Sequence, residues 1–105
     1  GTSSVATGYK LSIAGKVMCE ELKVQLRPWA DYVFTDNYPL MNLYEVEEFI
    51  KTYKHLPNIP TAKEIEVDGL LVGDMQRRMM EKIEELTLYI ISLKKEMDSL
   101  KEQKK

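Results

Sequence analysis

The sequence predicts an α+β chain with a short N-terminal β-hairpin, a small helical lobe and one long C-terminal helix suited to a parallel coiled coil. Three observations carry this expectation. Apolar residues alternate along "YKLSI" (9–13), the two-residue period of a strand. Leu43, Val46, Phe49, Ile50 and Tyr53 recur at helical spacing. Finally, "KIEELTLYIISLKKEMDSL" (82–100), read in sevens, stacks Ile83, Ile90 and Met97 in one row and Leu86, Leu93 and Leu100 in the next.

The elements follow in chain order. Residues 1–8 are rich in Gly, Ser, Thr and Ala and read as a linker or the end of a preceding repeat. In the first strand Tyr9, Leu11 and Ile13 point one way, and Ala14-Gly15 makes a turn. A second strand, "KVMCEELKVQL" (16–26), changes parity near Glu20-Glu21, the mark of a bulge or a break. Cys19, within that apolar run, is expected to be a small buried hydrophobe. Pro28 ends the strand, because it has no N–H for a ladder. "WADYVF" (29–34) reads as a further strand or as an extended segment laid on the core, and "TDNYP" as a turn.

Asn42 is a good N-cap, and Glu45 three residues on completes a pair resembling a capping box. A helix is expected from Asn42 to about Lys54, with Glu47, Glu48, Lys51 and Lys54 on its polar face. Two prolines in "HLPNIP" (55–60) forbid regular structure. Thr61 caps a short turn over "AKEIE". Asp74 is placed to cap the last helix, which runs unbroken from Met75 to about Gln103, roughly 29 residues or about 43 Å. Such a rod outruns the small lobe before it, so its C-terminal half needs a partner.

The heptad provides one. The a row is Gln76, Ile83, Ile90 and Met97; the d row is Met79, Leu86, Leu93 and Leu100. Ile at a with Leu at d favours two strands in simple parallel coils. Leu88, Tyr89 and Ile91 lie outside the seam and widen the apolar surface. They imply either a higher oligomer or contact with a globular lobe. Met75, Met79 and Met80 read as filler where lobe meets stalk.

Charge is balanced, with 15 Lys and Arg against 17 Asp and Glu and a net charge of −2, so no basic stripe points to nucleic acid. The single cysteine excludes an internal disulfide framework. No apolar run approaches the about 18 residues that a membrane helix needs. His55, the one histidine, forms no metal-ligand spacing with Cys19 or the carboxylates. No glycine-rich phosphate loop is present, and Ser12 has no neighbouring base for a triad. Asp31 and Asp36 flank the aromatic segment as turn and surface residues rather than as an acid–base pair. No catalytic residue, cofactor or metal is therefore expected.

"GTSSVATGYKLSIAGKV" resembles the closing repeat of bacterial and phage fibre proteins, a unit of the type G-T…Y-K-L-x-V-x-G-K. The stretch from "WADYVF" to "LYII" is similar to the C-terminal domain of tail-fibre-like and surface proteins of gut anaerobes and their phages, with "KHLPNIP" and "KIEELTLYII" its most specific parts. The resemblance implies the tip of a trimeric fibre, located on a virion tail or a cell surface. The order of elements also looks like the S74-type intramolecular chaperone domains, which cut themselves free through a Ser-Asp dyad. The matching step here is Ala30-Asp31, which has no nucleophile.

The expectation is thus a homotrimer in three parts: the end of a β shaft (1–27), a small α+β tip lobe (28–74) and a trimeric coiled-coil helix (75–105). It would act as an assembly and registration element. Its interface would be Met79, Ile83, Leu86, Ile90, Leu93, Met97 and Leu100. The alternative is a receptor- or glycan-binding tip that uses Trp29 and His55. A self-cleaving peptidase is the third class.

Overall fold

A computed structural model describes residues 7–25, 29 and 32–103. Three helices make up its regular structure: α1 (Leu43–Tyr53), α2 (Ala62–Asp68) and α3 (Val72–Gln103). The linker residues 1–6, the end of the expected second strand and the Ala30-Asp31 step lie outside the described residues.

Among the described residues there is no β-strand, and the α+β expectation is corrected to an all-helical one. Residues 9–13 and 16–25 run as irregular chain. Tyr9, Leu11, Ile13, Val17, Met18, Leu22 and Val24 along it are all exposed, and so is Cys19, against the expectation that it is buried. The physical reason is that alternation describes a surface, whereas a strand is a pairing. An isolated hairpin gains too little from its own ladder, and the described apolar side chains of this one stay exposed rather than resting on a core. "YVF" is likewise no strand. Tyr32 to Tyr38 wind through successive turns, with Thr35 N–H donating to Tyr32 O at 3.3 Å and Tyr38 N–H to Thr35 O at 3.3 Å. Within them Val33 is the one fully buried apolar side chain among the described residues.

The helices follow their local chemistry closely. At the start of α1, Asn42 Oδ1 accepts from Glu45 N–H at 2.9 Å, while Asn42 Nδ2 donates to Glu45 Oε1 at 2.6 Å. The pair is reciprocal in the way a capping box is, with the amide side chain in place of a backbone N–H. The helix closes at Lys54, whose left-handed backbone (φ 63°) turns its N–H onto Ile50 O at 2.8 Å. Thr61 caps α2 in the same fashion: its hydroxyl accepts from Glu64 N–H at 3.1 Å and donates to Glu64 Oε1 at 3.1 Å. Gly69 (φ 82°) ends α2 in a backbone geometry that side chains resist.

Helix α3 starts earlier than expected. Met75 N–H already bonds Leu71 O at 2.9 Å, so Asp74 lies inside the first turn rather than at the cap. There its charge still favours the positive helix end. With 32 residues the helix is about 48 Å long, and its exposed C-terminal half projects past the lobe.

Replacing the α1 cap, Asn42→Ala, is expected to lower stability by about 1 kcal/mol. Urea unfolding at fixed protein concentration checks this; an unchanged midpoint would show that the cap is not used.

Candidate association surface

The loop between α1 and α2 is where lobe and rod are joined. Leu56, Pro57, Asn58 and Ile59 form a turn closed by Ile59 N–H on Leu56 O at 3.2 Å. Proline at its second position and a residue with positive φ at its third match a type II turn, and Asn58 (φ 64°) is among the few residues other than glycine that tolerate that place. The turn delivers the Asn58 amide to α3. Its Nδ2 donates to Glu81 Oε2 at 2.7 Å, and its Oδ1 accepts from Arg78 at 3.0 Å. The same guanidinium nitrogen of Arg78 donates to Asn58 O at 2.9 Å.

Glu81 is only 6% exposed. A carboxylate so placed requires hydrogen bonds to replace its lost water. Besides Asn58 it accepts from the Tyr38 hydroxyl at 3.3 Å. That hydroxyl also bonds Glu85, one turn further along α3, and Glu85 in turn accepts from Lys82 Nζ at 2.9 Å. Above this cluster Asp74 binds both Arg77 and Arg78, and these hydrogen bonds hold its carboxyl below the usual range. Below it, the Tyr89 hydroxyl donates to Met41 O. Burial first, and then the charge and hydrogen bonds of Glu85 and Glu81, push the Tyr38 phenol well above its ordinary value. Tyr32 and Tyr89 move the same way, chiefly through burial.

Asp74, Arg78, Glu81, Lys82, Glu85 and Tyr89 share one side of α3 at helical spacing. The seam lies on another side. Met79, Ile83, Leu86, Ile90, Leu93, Met97 and Leu100 are each between 48% and 65% exposed. The three apolar residues outside the seam divide. Tyr89 is tied to the lobe and Leu88 lines a cleft with Leu40, Met41 and Leu43, while Ile91 stays exposed.

Seam and lobe meet at two neighbouring clefts. Leu86 closes a cleft of about 270 Å³ with Leu43, Val46, Leu56 and Tyr89, and Leu93 borders the neighbouring cleft beside Leu88. Leu43 and Leu56 remain half-exposed there. A third cleft, of about 460 Å³, lies between the proline loop, α2 and the start of α3.

The two residues expected to bind a ligand are placed differently. His55 is half-buried, packs edge-on against Phe49 at 5.3 Å between ring centres, and places Nδ1 2.8 Å from Leu56 O. It borders the 460 Å³ cleft. Trp29 is half-exposed and lines none of the three clefts. Among the described residues no group of histidine, cysteine and carboxylates is arranged to hold a metal, and no helix is long and apolar enough to cross a membrane. Comparison with known proteins finds no family model, no curated protein and no solved structure that matches this chain.

Glu81, Asn58, Tyr38 and Arg78 are the residues that sequence reasoning missed. Glu81 falls at the outermost heptad position, where a charge ordinarily faces water, and nothing in its spacing marks it. Asn58 did carry a signal, as the left-handed residue after a turn proline.

Asn58→Ala is expected to cost about 2–3 kcal/mol, because it removes the bond to a buried carboxylate and strains the backbone. Asn58→Gly, which relieves only the strain, should recover a part of that; equal stability of both variants and the parent in urea would exclude the clasp. The fold favours the protonated Tyr38 phenol. That contribution is complete below the ordinary tyrosine value of 10.0 and is lost as pH rises through the higher folded-state value. Alkaline titration followed by tyrosinate absorbance should show a late-ionising group that disappears in Tyr38→Phe.

Proposed function

We propose that this chain is a structural self-association element: α3 joins α3 of two further copies in a parallel homotrimeric coiled coil that aligns the chain segments preceding it. The observation that carries the reading is the division of α3 into two faces. One is occupied by the lobe through Glu81, Glu85 and Tyr89. The other is a seven-residue stripe at heptad spacing, at least 48% exposed throughout. An apolar stripe of this length on a soluble monomer is rare, and a partner helix is the occupant its period fits.

Three strands are favoured over two by the width of the stripe. At the height of Leu86 the apolar surface continues sideways onto Leu43 and Leu56, beyond the narrow a/d strip that a two-stranded coil covers. In a trimer the lobe of each chain flanks its neighbour's helix and covers that surface. We read such an element as the end of a fibre or surface protein, the setting that the resemblance of "KHLPNIP" and "KIEELTLYII" to fibre tips implies.

The mechanism is physical. Helical contacts are local and form quickly. Once joined, the three rods hold the preceding segments of the chains at high effective concentration and in a common register. Nothing is turned over, so the working parts are the seam and the clasp that keeps the lobe off it.

Charged replacements at Ile83, Ile90 and Leu93 should leave a helical, lobe-intact monomer by sedimentation equilibrium, where the parent has three times the chain mass. A parent that sediments as a monomer, or a triple variant that remains trimeric, would overturn the reading.

A further inference from the structure

A heptad seam does not by itself say which way its partner points. That is settled at the flanking e and g positions, where charges pair between helices. In α3 the e positions are Met80, Thr87, Lys94 and Lys101, and the g positions are Lys82, Tyr89, Glu96 and Gln103.

Half of these are already engaged within the chain. Lys82 holds Glu85 at 2.9 Å with only 14% of its side chain exposed. The Tyr89 hydroxyl is on Met41 O, and the Thr87 hydroxyl donates to Ile83 O at 2.8 Å. Lys94 pairs with Asp98 at 2.9 Å. Among the described flanking residues only Glu96 and Lys101 are charged and have no partner among the described residues, and both are exposed.

We infer that Glu96 and Lys101 fix the parallel orientation and the register of association, each Glu96 pairing with Lys101 of a neighbouring copy. This rests on the self-association proposed above. The two residues are opposite in charge and five positions apart, which is the offset between a g residue and the e residue it meets on a parallel partner. A shift by one heptad would set Glu96 beside Lys94, which Asp98 already holds. An antiparallel partner instead brings g beside g. The one lysine there is Lys82, which is half-buried in its own pair with Glu85.

The intrachain surroundings leave the two side chains free for this. Residues 92, 93, 99 and 100 around Glu96 are uncharged, and three or four residues from Lys101 the one described charge is Asp98, on the side of Lys94.

The test is charge reversal in the full chain, read by sedimentation equilibrium at low salt. Glu96→Lys and Lys101→Glu should each lower the trimer association constant about tenfold, the sum of three weak exposed pairs. The double reversal E96K/K101E should restore it, and equimolar E96K and K101E should form mixed trimers in preference to either alone. In about 1 M salt, where screening acts within about 3 Å, the differences should vanish.

Lys101 also lies in the last helical turn, where any cation is favourable. If K101E weakens association but E96K does not, or if the double variant is no better than K101E, the effect is one of helix ends and the inference is wrong. A parent chain that stays monomeric would instead remove the self-association reading beneath it.

Discussion

The buried carboxylate of Glu81 is the constraint around which the lobe is arranged. At 6% exposure an uncompensated charge would be costly enough to unfold so small a lobe. Neutral donors from separate loops meet it, among them Tyr38 from the turns before α1 and Asn58 from the proline turn after it. Both loops are therefore held to the same turn of α3. With Val33 the one fully buried apolar side chain described, hydrophobic burial alone gives little definition, and the polar cluster decides where the lobe sits. Such clusters specify position more than they add stability.

That placement has a consequence for α3. Because the clasp occupies the side carrying Arg78, Glu81, Glu85 and Tyr89, the lobe cannot fold back over the heptad stripe. A chain of this size would otherwise use Ile83, Leu86 and Ile90 as its own core. Instead they remain in water, and the same geometry that leaves the single chain poor in core leaves it rich in surface for association. Fold and proposed function are linked at this point: the stripe that the proposed association would cover is the one the clasp leaves open.

Much of the helical layout was legible from local signals. Asn42 with Glu45, and Thr61 with Glu64, are short-range pairs, and short-range pairs act in whatever context surrounds them. The heptad rows of α3 were legible because their period is a property of the helix alone. The strands were not. "YKLSI" and "KVMCEELKVQL" have strand-like alternation, but a ladder needs a partner that the described chain does not bring to them. The start of α3 was misplaced by three residues because Asp74 suits the first turn as well as the cap, and within that turn it binds Arg77 and Arg78.

By itself the sequence determined α1, the caps at Asn42 and Thr61, the body of α3 and its apolar stripe, because each depends on residues within a turn or two of one another. Only the tertiary structure decided which side of α3 the lobe occupies, that Tyr89 and Leu88 turn toward it while Ile91 does not, and that Glu81 is buried rather than solvated. These outcomes depend on where Tyr38 and Asn58 arrive from 43 and 23 residues away. No periodicity records such arrivals, since a glutamate at an outer heptad position looks the same in sequence whether water or an asparagine meets it.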